Sequence, residues 1–334
     1  MTLSAAQERL GPYRLVRQIG EGGMARIYLA EHEKLSRTVA IKRLHSIHFD
    51  DPIVVARFLA EARAVSDIAH ANLIRVHDVV EEPGEIYLVM DFYDGCDVAD
   101  VLRSEGKFAP QRAAGIAAQL CDVLAAVHAR DIIHRDLKPE NVFLADELDE
   151  EHRPCERVKL LDFGVARTAE LRPKELRTRS GLTVGTPTYM SPEQATASTI
   201  DARSDLYAVG VLLYEMLTGK PPFTGVYGDV MLKHVHDAPV PVIERVPEVP
   251  RWLDGVVMRC LEKSPEDRYQ SAAEVATSLR AGTLGEVLAM RRRPRRSGQL
   301  VFAIIALSFV GLLSVFGMAL RRNATINPFA DPPR

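Results

Sequence analysis

Cysteine is scarce in this chain. Four occur, at Cys96, Cys121, Cys155 and Cys260, far apart and with no CxxC pair. That pattern argues against a disulfide framework or a zinc ribbon and reads as reduced thiols in a cytosolic domain. Net charge is scarce too: 42 Lys and Arg against 45 Asp and Glu leave −3. A nucleic-acid binder would need a basic excess, so none is expected. The first ten residues are mixed and polar, so no signal peptide is expected either. Internal repeats are absent, which excludes solenoids and propellers. The 47% hydrophobic and 26% charged contents are those of an ordinary globular protein. A length of 334 residues suggests about two folding units.

What is present centres on one octet, His134-Arg135-Asp136-Leu137-Lys138-Pro139-Glu140-Asn141. Asp136 can accept a proton from an attacking hydroxyl. Lys138, two residues on, can neutralise a phosphoryl group in transfer. Asn141 can present a carbonyl oxygen to a hard cation such as Mg²⁺.

Upstream, residues 13–19 alternate apolar with polar and read as a strand. Gly20-Glu21-Gly22-Gly23-Met24-Ala25 follows, and Ile27-Tyr28-Leu29-Ala30 reads as the next strand. Glycines between strands let backbone N–H groups approach phosphates. Ala25 stands where the third Gly of G-x-G-x-x-G would be, a change that a dinucleotide fingerprint also tolerates. That fingerprint runs strand to helix, whereas this one runs strand to strand. Val39-Ala40-Ile41-Lys42 places a Lys on a strand behind three apolar residues; the bland alternative is a snorkelling surface Lys. Residues 57–69 carry Phe58, Leu59, Ala62, Val65 and Ile68 at helix spacing, with Glu61 among them. Strands at 73–80 and 85–90 flank the Glu82-Pro83-Gly84 turn, and a long apolar helix covers about 110–130.

Downstream, short strands at 142–144 and 158–161 enclose residues 145–157. This stretch is rich in acid and reads as an exposed insertion. Asp162-Phe163-Gly164 opens a polar, basic stretch to 184. Gly185-Thr186-Pro187-Thr188-Tyr189-Met190-Ser191-Pro192-Glu193 closes it. Asp205 opens a strongly apolar helix reaching Leu217, and Arg268 ends Pro265-Glu266-Asp267-Arg268.

In this order and at these spacings the motifs resemble the eukaryotic-like (Hanks-type) Ser/Thr protein kinases of bacteria, over residues 13–280. The resemblance implies an α+β, two-lobed fold. A small β-rich lobe covers about 13–92 and a larger helical lobe about 93–280. It implies ATP and Mg²⁺ as cofactors, with ATP contacted by Ile19, Gly20, Gly22, Gly23, Ile27, Ala40, Lys42, Glu61 and Met90. Lys42 orients the phosphates and Glu61 holds it. Asn141 and Asp162 hold the metal, and Asp136 and Lys138 are the catalytic pair. Glu193 is expected to pair with Arg268, and Asp205 to bond the backbone of the catalytic loop. The stretch 165–184 corresponds to the activation loop, with Thr178 or Ser180 as its phosphosite. The implied partners are protein substrates with Ser or Thr acceptors, and a second copy in transient self-association for autophosphorylation. Ser191 replaces the Ala of the family's A-P-E. A pseudokinase scaffold, a tyrosine kinase and a small-molecule phosphotransferase are the alternatives. The intact Lys42, Asp136, Asn141 and Asp162 disfavour the first, Lys138 the second and the segment ending in Glu193 the third.

Composition shifts after about 281. Five Arg residues in 291–296 form a basic linker, within 281–299. Residues 300–320 carry no charge and only Ser308 and Ser314 as polar breaks. A helix of about 21 residues spans roughly 31 Å, matching a hydrocarbon core of about 30 Å. A transmembrane helix is expected there, with 321–334 as a short tail. The Arg excess on its N-terminal side puts the kinase domain in the cytoplasm, on a bacterial inner membrane.

Overall fold

A computed structural model describes residues 8–82, 84–162 and 187–292. The chain divides into two units, residues 1–283 and 284–334. Of the second unit only the end of one helix, to Arg292, is described.

The first lobe is an antiparallel sheet of six strands: β1 (Arg9–Leu10), β2 (Tyr13–Glu21), β3 (Ala25–His32), β4 (Arg37–Leu44), β5 (Val76–Glu82) and β6 (Glu85–Asp91). Their spatial order is β1-β2-β3-β4-β6-β5. Alternation along β4 sorts its side chains between two cores. Val39 and Ile41 pack with Leu15, Tyr87 and Val89 on one face. Leu44 packs with Phe58, Leu59 and Ala62 on the other, where α1 (Pro52–Ser66) lies. The helix starts five residues earlier than apolar spacing suggests. The Asp51 carboxylate accepts from the N–H groups of Ile53 (3.0 Å) and Val54 (3.3 Å), and Pro52 fits the first helical position.

The second lobe is helical: α2 (Val98–Glu105), α3 (Pro110–His128), α4 (Pro192–Ala195), α5 (Ala202–Thr218), α6 (Tyr227–His236), α7 (Val242–Arg245), α8 (Arg251–Cys260) and α9 (Ala272–Arg292). Helix α5 is buried on nearly all sides, as its apolar sequence requires. Leu206, Val209, Leu213 and Tyr214 meet Leu120 and Leu124 of α3 in one core. Each such side chain contributes about 1.5–3 kcal/mol on burial. Gly219 ends α5 in the left-handed region at φ 77°, where a Cβ would lie 2.6 Å from the Gly106 carbonyl oxygen. Cys121 and Cys260 are buried here as free thiols, and burial pushes the Cys260 thiol up to about 12.

The acidic stretch 145–157 is exposed along much of its length, as expected, but most of it is strand rather than loop. β8 (Val142–Leu148) and β9 (Pro154–Leu160) form a long antiparallel ladder, with Ala145 opposite Arg157 and Leu148 opposite Pro154; β7 (Gly95–Asp97) pairs on the other side of β8. Paired charges hide this hairpin from a hydropathy reading. Glu147 meets Arg157 (2.7 Å) and Lys159 (2.6 Å), and Glu156 meets Arg112 of α3 (2.7 Å). Leu73 bridges to Leu160, so the chain leading into β5 is stitched to this second sheet.

Among the described residues, no helix is long and apolar enough to cross a membrane. The expected span 300–320 lies outside them, as do Phe163, Thr178 and Ser180.

Candidate active site

Two strands and one loop from the first lobe face two loops from the second. The glycine stretch is the hairpin turn between β2 and β3, where the Gly22 N–H donates to the Ala25 carbonyl at 2.8 Å. A Cβ at Gly23 would meet nothing within 4 Å, and one at Gly22 only the Ala25 oxygen at 3.8 Å. Among the described residues, no neighbour crowds these glycines. The space they leave open suits a bound group that the backbone closes over. Ile19 lies at a bulge in the ladder, and Gly20 pairs with Ile27. Ile27 in turn stands opposite Lys42, and Ala40 opposite Met90. Ala40 and Lys42 are two apart on β4 and so share a face. Ala40 and Met90 give that face a buried apolar patch beside a cation.

Lys42 reaches across to the second lobe. Its Nζ lies 2.6 Å from Oδ1 of Asp162, and it also stands 5.9 Å from the Phe58 ring centroid. Glu61 follows Phe58 by three residues on α1; its side chain lies outside the described residues. Desolvation works to raise the Asp162 carboxyl, but the Lys42 ammonium outweighs it and holds the group below its ordinary value. Asp162 is therefore an anion, with a hard oxygen donor available to a divalent cation. Its φ of 31° is one of the few positive values outside glycine.

The octet is held from below. Asp205, buried at the start of α5, accepts from the N–H groups of His134 and Arg135, each at 2.9 Å. Its Oδ2 also lies 2.7 Å from His128 Nε2. This carboxylate holds Arg135 at φ 67°, a conformation that costs a non-glycine residue about 1–3 kcal/mol. Gln194 of α4 fixes the other side of the same residue, donating to the Arg135 carbonyl at 2.9 Å. The Arg135 Nε is buried with no hydrogen-bond partner among the described residues. Burial holds the His134 imidazole below its ordinary value, and so neutral. Its Nδ1 accepts from the Asp136 N–H (3.3 Å), which leaves Nε2 to donate to the Leu161 carbonyl (3.0 Å).

Asp136 and Lys138 meet at 3.4 Å. The Asn141 amide donates to the Asp136 carbonyl at 2.7 Å, which turns its oxygen away from that contact. The Asn141 carbonyl accepts from the Leu161 N–H (2.9 Å), fixing this residue next to Asp162 in space. Lysine, two carboxylates, an amide oxygen and open glycine backbone thus converge on one cleft. Such a donor set suits a magnesium–polyphosphate ligand.

The protein kinase domain family matches residues 13–279. The chain belongs to the protein kinase family. It is 39% identical over 292 residues to the serine/threonine-protein kinase Pkn1 of Myxococcus xanthus, covering 87% of this chain and 41% of that one. It is 38% identical over 272 residues to PknB of Mycobacterium tuberculosis, covering 80% and 42%. The chain thus spans about two fifths of the length of these curated relatives. Among solved structures it resembles the kinase domain of Mycobacterium tuberculosis PknI, with 25% identity and a TM-score of 0.62 over 83% of this chain and 99% of that one.

A second cluster lies below the cleft. Glu193 and Arg268 form a buried bidentate pair at 2.8 and 2.9 Å, as the sequence suggested. Ser204 also donates to Glu193 (2.6 Å), and Arg268 donates to the carbonyls of Glu262 and Lys263. Sequence reading missed His128, His134 and Gln194 as supports of the catalytic loop. Each acts on a partner distant in sequence or through a backbone atom, and neither leaves a local pattern.

Proposed function

We propose that the chain is an ATP- and Mg²⁺-dependent protein kinase acting on Ser and Thr hydroxyls. The observation that carries this reading is the Lys42–Asp162 pair bridging the lobes above Asp136, Lys138 and Asn141. Gly20, Gly22 and Gly23 would cover the phosphates, with Ile19, Ile27, Ala40 and Met90 around the base. Lys42, with Glu61, would orient the phosphates. Asn141 and Asp162 would hold Mg²⁺, which neutralises phosphate charge when bound. Asp136 orients the acceptor hydroxyl and takes its proton, and Lys138 offsets the charge of the moving group. Positioning and electrostatics carry the rate in such transfers. Phospho-amino-acid analysis of proteins labelled by the purified chain tests the acceptor class: phosphoserine and phosphothreonine are expected, and phosphotyrosine alone would overturn it.

Activation would come from phosphorylation of 168–188, at Thr178 or Ser180. The buried Nε of Arg135, without a partner among the described residues, favours this, since a phosphate would give that guanidinium an acceptor. A phosphate can make about one to three charge-assisted bonds. Two of them, at about 1.5–3 kcal/mol each, give roughly 3–6 kcal/mol. Turning 1:99 into 99:1 needs about 5.5 kcal/mol, which two bonds reach at the top of their range and one bond does not reach. The double variant Thr178→Ala/Ser180→Ala should lose most activity on an exogenous protein. Unchanged activity, with no phosphate between 165 and 185 in the wild type, would remove the mechanism.

Residues 300–320 would anchor the chain in a bacterial inner membrane, with the kinase domain cytoplasmic. The uncharged run and its N-terminal Arg excess support this. Protease added outside spheroplasts should spare the kinase domain; its digestion with an intact tail would refute the orientation.

A further inference from the structure

The segment 187–193 enters α4 beside the catalytic loop, and its first turn, Pro187–Tyr189, is a short 3₁₀ turn. One side chain from α6 fixes the backbone of that turn. His234 is fully buried, and its Nε2 lies 2.9 Å from the Thr188 carbonyl oxygen. Its Nδ1 lies 2.9 Å from the Tyr207 hydroxyl of α5. The Phe223 and Tyr207 rings stand edge-on to the imidazole, with centroids at 5.0 and 5.6 Å. Lys263 closes the cluster from outside. Its Nζ donates to the His234 carbonyl at 2.9 Å and lies 4.7 Å from the Phe223 ring centroid.

Burial, with Lys263 adding to it, holds the imidazole down to about 4, so it is neutral at physiological pH. A carbonyl oxygen can only accept. Nε2 must therefore carry the proton, and Nδ1 must accept from the tyrosine hydroxyl. The ring has one tautomer, one orientation and both nitrogens used. Neighbouring Tyr189 is pinned separately, its hydroxyl donating to Glu215 of α5 at 2.5 Å. Two successive residues of the segment are thus tied to two different helices, one through a side chain and one through the backbone.

We propose that His234 is a positioning residue for the protein acceptor: by holding the Thr188 carbonyl it sets the backbone path of the segment against which the acceptor peptide docks. This rests on the kinase reading above and on the resemblance of residues 185–193 to the family's substrate-docking segment ending in A-P-E. Among the described residues the partners of His234 are Thr188, Tyr207, Phe223 and Lys263, none of them a nucleotide contact or part of the octet, so its loss should act on the peptide side.

The chemistry supplies its own control. The His234→Gln substitution puts an amide nitrogen about where Nε2 was, so a donor still faces Thr188. An Asn amide is one methylene shorter and stops near Nδ1. His234→Gln and His234→Asn therefore differ in reach while both remain polar. The assay uses a Thr peptide selected from a degenerate library for turnover by the wild-type chain, with KM measured for peptide and for ATP. The peptide KM should rise about tenfold or more in His234→Asn, the usual scale for a buried carbonyl left unpaired. It should stay within about threefold of wild type in His234→Gln, with the ATP KM unchanged in both. Equal peptide KM values for the two variants, or a change that falls on ATP, would overturn the proposal. If the wild-type chain phosphorylates no library peptide, the kinase reading itself fails, a different result.

Discussion

Asp162→Ala should abolish measurable phosphoryl transfer, and Lys42→Ala should lower it by at least about 10²-fold, the usual scale for one lost electrostatic contact to the reacting group. The two side chains meet at 2.6 Å across the cleft, one from β4 and one just beyond β9. Removing the carboxylate takes away a hard oxygen donor that no described neighbour replaces. Removing the ammonium takes away the cation that would orient the phosphates and that holds the Asp162 carboxyl below its ordinary value. Both variants should remain folded. The Asp162 side chain is 47% exposed, so solvent screens much of what the pair contributes to stability. Melting temperatures within about 4 °C of wild type are expected, equivalent to about 1 kcal/mol for a domain of this size. Radiolabel transfer from ATP, measured beside the melting curve, checks both halves. Near-normal transfer in either variant would remove these residues from the site.

The second large effect is on the fold. Arg268→Ala should destabilise the helical lobe by about 3–5 kcal/mol, because it strands a buried carboxylate. Arg268 is fully buried and Glu193 nearly so. Desolvation pushes Glu193 up, yet the guanidinium and the Ser204 hydroxyl override it and hold the carboxyl below its ordinary value. Without the arginine that balance reverses. Urea unfolding followed by tryptophan fluorescence is a suitable measurement, since the one Trp, Trp252, lies on α8 in the same lobe. A loss under about 1 kcal/mol would mean that the pair is not what ties α4 to the Arg268 loop. Replacing both residues by apolar ones should recover part of the loss, since no buried charge is then left alone.

Much of this architecture is legible in the amino-acid order. Tyr13 to Ile19 alternates and forms a strand, and the glycine turn joins two strands as its flanks imply. The uninterrupted apolar run after Asp205 becomes a helix buried on nearly all sides. The pairing of Glu193 with Arg268 and the role of Asp205 beneath the octet were implied by the resemblance to the kinase family, and the structure shows the physical need, since a buried charge requires a partner. What escaped had physical causes. The β8–β9 hairpin carries Glu147, Glu156, Arg157 and Lys159, and hydropathy reads such residues as loop. Their partners lie on neighbouring strands and on α3, where only the folded chain shows the charges cancelling. Apolar spacing places the start of α1 too late, because it takes no account of the Asp51-Pro52 capping pair. In the sequence His134 is visible only as the first residue of the octet, and nothing singles out His234. Each proves to have its ring nitrogens bonded to specific backbone or side-chain partners.

The most direct test compares the wild-type chain with Asp136→Asn, given ATP and Mg²⁺ and a protein acceptor, by the initial rate of γ-phosphoryl transfer. Asn cannot take the acceptor proton, but it keeps the size of Asp and can still hydrogen-bond. The account predicts transfer to Ser and Thr by the wild type and a fall of about 10²–10⁴-fold in the variant, the span that general-base catalysis contributes. Equal rates in the two proteins, or no transfer by the wild type with ATP bound, would contradict it.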